Sequence, residues 1–260
     1  MDLLLPILFL TGAGVLIAFV LTVADKALAV AVDETVANIV ECLPGISCGA
    51  CGFSGCGGYA EAVASGAAKP NLCKPGGADA AAKIGEILGI SVDAAEKQVA
   101  FVACKGSIGI AADKYDYVGS PSCHAAVRYY GGAKQCAFGC AGFGDCTAVC
   151  PNNAITVVNG AAVVNTARCN GCGMCAKMCP QKIVFVRPLS AKTLVACSST
   201  ATGKDTRAAC KTGCIACRQC EKKCPEKAVK IENNKAVIDH KLCKNCGVCV
   251  ATCPTKAITA

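Results

Sequence analysis

The sequence predicts an α+β fold in which an apolar N-terminal helix precedes a small helical domain and two tandem copies of a cysteine-rich module. Three observations support this prediction. The chain of 260 residues contains 25 cysteines, residues 3–23 carry no charged side chain, and one cysteine pattern occurs twice in the second half.

The cysteine content indicates a metal-binding protein. A density of this kind is typical of either a disulfide scaffold or bound metal. Disulfides belong to oxidising compartments, and closely spaced triplets of cysteines suit them poorly. We therefore expect metal clusters in a reducing compartment. Because aromatic residues are scarce and Trp is absent, the apolar core is small, and bound metal must supply much of the folding free energy.

The N-terminal apolar stretch is long enough for one crossing of a bilayer, which needs about 20 residues. We predict a retained transmembrane anchor over residues 1–27. A cleaved signal peptide is the alternative, disfavoured because the chain begins Met1-Asp2, without a positive segment. Lys26 and the lysine-rich body then predict, by the positive-inside rule, a single-pass protein of the inner (cytoplasmic) membrane with its body on the cytoplasmic side.

A glycine-wrapped loop carries the first predicted metal site. Its four ligands are Cys48, Cys51, Cys56 and Cys73. Glycine lets such a loop lie close to a [4Fe-4S] cluster and donate backbone N–H groups to its sulfurs. Structural zinc is the alternative at this isolated site. Cys42 lies outside the pattern and is interpreted as a spare cysteine.

The second half of the chain repeats one module. In each copy, two cysteine loops flank two apolar runs joined by a short turn, which predicts a β-hairpin. The predicted hairpins occupy residues 154–164 and 228–238. The first has Asn159-Gly160 at its turn, the strongest short-range hairpin signal.

The second copy has the cysteine spacing of a two-cluster bacterial ferredoxin, in which the fourth cysteine of each run ligates the other cluster. The predicted sets are Cys214, Cys217, Cys220 and Cys253 for one [4Fe-4S] cluster, and Cys243, Cys246, Cys249 and Cys224 for the other. Zinc is disfavoured here, because four-cysteine zinc sites usually combine two separated Cys-x-x-Cys pairs.

The first copy lacks one cysteine. One of its clusters has a complete set, Cys150, Cys169, Cys172 and Cys175. The other set retains Cys140, Cys146 and Cys179, but Phe143 stands at the position that matches Cys217. We predict that Cys123, in an insertion without a counterpart in the second copy, completes this site. A three-iron cluster is the alternative.

Four further cysteines form two equivalent pairs, one in each copy. The pairs are Cys104 with Cys136, and Cys197 with Cys210. We predict that they meet across a pseudo-twofold axis between the modules and hold another cluster. The total is then six [4Fe-4S] clusters, of which the one at the module interface is inferred by counting; free cysteines are the alternative.

Nothing else in the sequence indicates a catalytic site. Neither a phosphate-binding nor a dinucleotide-binding glycine motif is present, so we predict no catalytic residue, no nucleotide site and no nucleic-acid partner. The formal charge of +8 becomes about −4 once six clusters of about −2 each are counted. Residues 201–260 hold most of the basic surplus, which predicts a docking face there for an acidic redox partner.

Taken together, the motifs resemble the clostridial-type B subunit of the Rnf complex, a membrane ferredoxin:NAD⁺ oxidoreductase that pumps Na⁺ or H⁺. The resemblance rests on the apolar N-terminus, on Leu-Pro-Gly-Ile-Ser-Cys-Gly-Ala-Cys-Gly at 43–52 with Cys-Lys-Pro-Gly-Gly at 73–77, and on both modules. It implies a translocase subunit that passes electrons from soluble ferredoxin to membrane subunits. It also implies that other membrane and peripheral subunits reduce NAD⁺ and pump ions.

These inferences divide the chain into four segments. We predict an anchor over 1–27, a four-cysteine iron-sulfur domain over 28–98, a ferredoxin-like module with an insertion over 99–187, and a second ferredoxin-like module over 188–260. The alternatives are an iron-sulfur subunit of another membrane oxidoreductase, such as a hydrogenase or a molybdenum enzyme, and a structural zinc protein.

Overall fold

The computed structural model describes residues 4–28, 33–92, 96–129 and 131–260 as short helices and strands joined by long loops. The helices are α1 (Leu4–Leu28), α2 (Glu34–Cys42), α3 (Cys56–Ala64), α4 (Gly77–Leu88), α5 (Cys123–Arg128), α6 (Asp145–Ala148), α7 (Met174–Met178), α8 (Gly203–Ala209), α9 (Gln219–Lys223) and α10 (Val248–Thr252). The strands are β1 (Gln98–Val102), β2 (Ile155–Val158), β3 (Ala161–Val164), β4 (Val184–Pro188), β5 (Leu194–Val195), β6 (Val229–Glu232), β7 (Lys235–Ile238) and β8 (Ile258–Thr259).

The N-terminal helix corrects one prediction. Across the described part of the chain, no helix combines the length and the apolarity that crossing a bilayer requires. The predicted transmembrane helix over 1–27 and the single-pass localisation in the inner membrane are therefore wrong. The α+β content of the predicted fold is observed.

Helices α2, α3 and α4 form a small domain around the first cysteine loop. Their shared core contains the fully buried side chains of Ile39, Tyr59 and Ile84. Helix α2 begins at an aspartate cap, because the Asp33 side chain accepts a hydrogen bond from the Thr35 amide at 2.9 Å. The core of this domain therefore consists of conventional large side chains.

Each module is closed by a two-stranded antiparallel sheet. Strand β1 precedes the cysteine loops of the first module and pairs with β4, which follows the last of these loops. Strand β5 pairs in the same way with β8 in the second module. Beyond each strand an equivalent bond continues the pairing, from the Ala103 amide to the Ile183 carbonyl and from the Ala196 amide to the Ala257 carbonyl. The sequence repeat is thus also a structural repeat.

Both predicted hairpins are confirmed. Strands β2 and β3 pair with Val158 opposite Ala161, and β6 and β7 pair with Glu232 opposite Lys235. Asn159 has a φ of 47° and Gly160 a φ of 71°, the left-handed geometry that a tight two-residue hairpin turn requires. Each hairpin lies between the two cysteine loops of its module.

The insertion of the first module packs against the second module. The Ala112 amide donates to the Ala209 carbonyl at 3.0 Å, and the Lys211 amide donates to the Ile110 carbonyl at 3.1 Å. On the other side, Ser198 Oγ donates to the Ala103 carbonyl at 2.9 Å. These bonds bring the segments that begin at Cys104 and end at Cys210 to one interface.

Candidate metal centres

The first cysteine loop encloses a cavity. Its empty volume is about 320 Å³, and its lining includes Cys48, Cys51, Cys56 and Cys73. Burial raises the pKa of the Cys73 thiol, and the three neighbouring thiols act in the same direction. The Tyr59 hydroxyl donates to the Lys69 carbonyl at 2.8 Å and accepts from the Leu72 amide at 3.2 Å, which fixes the segment that carries Cys73. Cys42 ends α2 and does not line this cavity.

The second module brings cysteines together in the crossed arrangement. Burial raises the pKa of Cys220 to about 11, and the thiols that add to the increase are Cys214, Cys217 and Cys253. Burial also raises the pKa of Cys249, and there the contributing thiols are Cys243, Cys224 and Cys246. Helix α9 contains Cys220 near its start and is followed directly by Cys224, which joins the other set. In the same way, α10 contains Cys249 near its start and is followed directly by Cys253.

The complete set of the first module is arranged in the same way. Burial raises the pKa of Cys175 to about 11, and the thiols of Cys172, Cys169 and Cys150 raise it further. Cys169, Cys172 and Cys175 are buried. The Ala100 amide donates to Cys169 Sγ at 3.3 Å. The strand that closes the module therefore also contacts this site.

The incomplete set of the first module shares a cavity with Cys123. This cavity has an empty volume of about 350 Å³, and its cysteines are Cys123, Cys140, Cys146 and Cys179. Burial raises the pKa of Cys146 to about 12, with Cys140 and Cys123 as the next contributors. Phe143 lies edge-to-face against Tyr117 of the insertion, with ring centroids 5.2 Å apart. The insertion thus packs against the residue that replaces the missing cysteine.

Asp145 holds the start of the helix that carries Cys123. Its carboxylate accepts hydrogen bonds from Ser122 Oγ at 2.9 Å, the Cys123 amide at 3.0 Å and the His124 amide at 3.2 Å, and it contacts His124 Nδ1 at 3.0 Å. Burial acts to raise the pKa of Asp145, but these hydrogen bonds outweigh it and lower the pKa to about 2. Asp145 is therefore an ionised clamp between the insertion and the loop before Cys146.

The two remaining cysteine pairs meet between the modules. The cavity there has an empty volume of about 380 Å³, and its cysteines are Cys104, Cys136, Cys197 and Cys210. Burial raises the pKa of Cys136, and the nearby thiols of Cys104 and Cys210 act in the same direction.

The cysteine sets follow one another in a line. The Cys48 thiol is close enough to raise the pKa of Cys172, although burial is the larger cause, and Lys177 Nζ donates to the Cys48 carbonyl at 2.6 Å. Cys175 contributes to the raised pKa of Cys146. The Cys140 amide donates to Cys104 Sγ at 3.3 Å.

The line continues into the second module. The Cys197 thiol is half-buried, and this desolvation raises its pKa; the neighbouring Cys214 amide opposes the increase and the Cys214 thiol adds to it. Cys224 follows α9 directly, so that helix joins the Cys214 set to the Cys243 set. Contacts between neighbouring cysteines therefore continue from Cys48 in the helical domain to the cysteines of the second module.

The donor atoms fit iron-sulfur clusters. Every set consists of four thiols, and backbone amides point at several of them, including those from Ala154 to Cys150 Sγ at 3.2 Å and from Ala236 to Cys214 Sγ at 3.4 Å. Such N–H donors stabilise thiolates that carry the negative charge of a cluster. Within the described ranges, no three His, Cys, Asp or Glu side chains are close enough together to hold a single metal ion. Four thiolates on one Zn²⁺ lie about 3.8 Å apart at Zn–S distances near 2.3 Å.

Sequence reasoning missed two charged residues of these sites, Asp145 and Lys134. Lys134 lines the cavity between the modules, and Asp145 lines the one that contains Cys123. Neither belongs to a metal-binding motif, and the positions that match them in the second copy are Ala208 and Gln219. The signal that could have identified Lys134 and Asp145 was that each is charged in the first copy and uncharged at the matching position of the second.

Comparison with known families matches three parts of the chain. Residues 43–75 match a family model for an Fe-S cluster segment, residues 162–185 a 4Fe-4S binding domain, and residues 213–257 a 4Fe-4S dicluster domain. These segments contain the first cysteine loop, the triplet of the first module and the crossed arrangement of the second.

Whole-length relatives decide the family. The chain is 38% identical over 257 residues to the B subunit of the Na⁺-translocating ferredoxin:NAD⁺ oxidoreductase complex of Acetobacterium woodii, covering 98% of this chain and 77% of the relative. It is 41% identical over 255 residues to the B subunit of the proton-translocating ferredoxin:NAD⁺ oxidoreductase complex of Clostridium ljungdahlii, covering 96% and 90%. The chain belongs to this B-subunit family.

A third relative also matches this chain over nearly its whole length. The B subunit of the ion-translocating oxidoreductase complex of Methanosarcina acetivorans is 38% identical over 250 residues, covering 96% of this chain and 95% of the relative. The predicted family is therefore confirmed, and the chain is an iron-sulfur electron-transfer subunit of a multi-subunit oxidoreductase complex. The names of two relatives specify different ions, Na⁺ and the proton, at similar identity to this chain.

Proposed function

We propose that this protein holds six [4Fe-4S] clusters and conducts electrons, one at a time, from reduced ferredoxin to membrane subunits of its complex. The observation that carries the proposal is the continuous line of six cysteine sets. Bound clusters supply reversible one-electron transfer at potentials that their surroundings adjust. The chain's own residues bind them in order, shield all but two of the cysteines by burying or half-burying them, and set the entry and exit ends of the path.

The second module provides the entry end. Cys217 and Cys246 are the exposed cysteines among the described residues, so both sets of this module reach the surface. Lys222 and Lys223 lie exposed in the last turn of α9, between the two sets. A basic surface beside exposed cluster ligands suits an acidic carrier such as ferredoxin, because opposite charges accelerate and orient encounter.

The helical domain provides the exit end. The Cys48 set is the last of the line and contacts the first module through Lys177 and Cys172. We propose that electrons leave from this set to the membrane subunits. The four segments 1–27, 28–98, 99–187 and 188–260 then correspond to an N-terminal helix, the exit domain, a relay module and an entry module.

The metal content tests this proposal. Protein made and purified without oxygen is analysed for iron, acid-labile sulfide and zinc. Six clusters give about 24 iron and 24 sulfide per chain with negligible zinc. About 20 of each would remove the set between the modules, and substantial zinc with little iron would overturn the electron path itself.

Charge reversal at the entry end is expected to slow ferredoxin oxidation. In the Lys222→Glu/Lys223→Glu variant, stopped-flow reduction by ferredoxin falls most at low ionic strength, because salt screens the lost attraction at higher ionic strength. The matched control is Lys69→Glu/Lys83→Glu, which reverses two exposed charges in the helical domain. Equal rates and equal salt dependence in both variants would place the docking face elsewhere.

Removal of the Asp145 clamp is expected to damage one site selectively. Asp145→Ala takes away the acceptor that fixes Ser122, Cys123 and His124, so the Cys123 set loses its fourth ligand and about one to four iron atoms per chain. Iron analysis and the spectrum of a three-iron cluster measure the loss. Asp145→Asn, which keeps one acceptor oxygen, loses less.

The control for this variant is Asp113→Ala, an exposed aspartate of the same insertion. Its iron content stays at the wild-type value. Full iron content in Asp145→Ala would show that Cys123 reaches its site without the clamp.

A further inference from the structure

The cavity between the modules has an uneven distribution of charge. Besides its four cysteines, it is lined by Lys105 and Lys134, both from the first module. Lys105 directly follows Cys104, and the residue that directly follows the matching Cys197 is Ser198. Lys134 lies two residues before Cys136, and the residue two before the matching Cys210 is Ala208. Two lysines of the first module therefore line this site, and the second module has no cationic residue at the matching positions.

Lys134 is held at this cavity by the fold. Its Nζ donates to the Gly106 carbonyl and to the Gly160 carbonyl, each at 2.6 Å, and the side chain is half-buried. Gly106 follows Cys104, and Gly160 is in the β2–β3 turn. Both acceptors are neutral carbonyls, so they fix the ammonium without cancelling its charge.

Lys134 lies close to two neighbouring cysteine sets. It lines the cavity that contains Cys136, and the Cys140 amide donates to Cys104 Sγ of that cavity at 3.3 Å. Cys136 belongs to the set between the modules and Cys140 to the next set along the line. The cavity of the next set is lined by Asp145, so the two cavities differ in the sign of the charged residues that line them.

We propose that Lys134 raises the reduction potential of the site formed by Cys104, Cys136, Cys197 and Cys210, so that an electron from the second module is retained there before it moves on. This inference rests on the proposed six-cluster function. One-electron reduction changes the charge of a four-thiolate [4Fe-4S] centre from about −2 to about −3. A fixed ammonium beside the thiolates stabilises the more negative state, and burial strengthens the effect because the local dielectric is low.

The test is a redox titration of the intact protein with Ti(III) citrate, monitored by electron paramagnetic resonance. Cys136→Ser identifies the signal of the site between the modules, since that variant loses it. Lys134→Gln removes the charge and retains a hydrogen-bond donor, and Lys134→Arg retains the charge. The matched control, Lys204→Gln, removes an exposed lysine of α8 that does not line the cavity.

In Lys134→Gln the signal assigned by Cys136→Ser is expected to become harder to reduce by at least tenfold in the equilibrium constant, about 59 mV for one electron. Lys134→Arg and Lys204→Gln keep the wild-type potential. The set that contains Cys140 shifts in the same direction by a smaller amount. An unchanged potential in Lys134→Gln at full iron content would overturn the inference.

Two further outcomes separate this inference from the function on which it rests. Wild-type protein with about 20 iron per chain, or Cys136→Ser with the same iron as wild type, would overturn the six-cluster assignment and this inference with it. If Lys134→Gln loses the site, Lys105→Gln tests the same effect, because it removes the exposed second cation of the cavity. A wild-type potential in Lys105→Gln would then count against electrostatic control by this cavity wall.

Discussion

A Cys48→Ala variant is expected to accept electrons from reduced ferredoxin without passing them on. Cys48 belongs to the last set of the line, and its neighbours towards the interior are Lys177 and Cys172 of the first module. Without its fourth thiolate, that set no longer holds an intact cluster, while the modules keep theirs. Reduction of the purified protein by ferredoxin should remain fast, and ferredoxin-dependent NAD⁺ reduction by the assembled complex should fall to background.

The control for this experiment is Cys42→Ala, since Cys42 is in the same domain and does not line the cavity. That variant should keep both activities and the full iron content. Full NAD⁺ reduction in Cys48→Ala would mean that electrons leave from another set, and the direction of the proposed path would be wrong.

Removal of iron and sulfide is expected to unfold the two modules. Cysteine and alanine make up twelve of the twenty buried residues of their two core clusters, and the largest side chains there are isoleucines such as Ile155, Ile183 and Ile258. Such cores bury little apolar area, so metal ligation must supply the folding free energy that packing does not. Anaerobic chelation should abolish the cooperative urea transition of the modules, measured by circular dichroism and hydrogen exchange.

The helical domain provides the internal comparison. It buries Tyr59, Ile39 and Ile84 completely, so its amides should retain more protection after chelation than those of the modules. Reconstitution with iron and sulfide should restore the cooperative transition. An apoprotein with an unchanged urea midpoint would contradict the claim that the clusters stabilise the modules.

The local arrangement of each site followed from the sequence because it depends on near neighbours. Cysteines two or three residues apart, glycines in the first loop and paired positive-φ residues such as Asn159 and Gly160 determine loop shape within a few residues. The module repeat and both hairpins were therefore predictable. The apolar composition of residues 3–23 was a weaker guide, since across the described part of the chain no helix is suited to cross a bilayer.

Other features depended on contacts between distant segments. From the spacing of the cysteines, the sites of Cys123 and of the four cysteines between the modules could only be inferred by counting unassigned cysteines. Tertiary packing places Cys123 at one cavity and the other four around another. The same packing placed Asp145 against Cys123 and Lys134 beside Gly160, at separations that carry no local signal. The sequence by itself determined which cysteines can share a loop, because loop geometry is local. The tertiary structure alone decided which distant cysteines lie together and which charges lie beside them, because both depend on how separate modules pack.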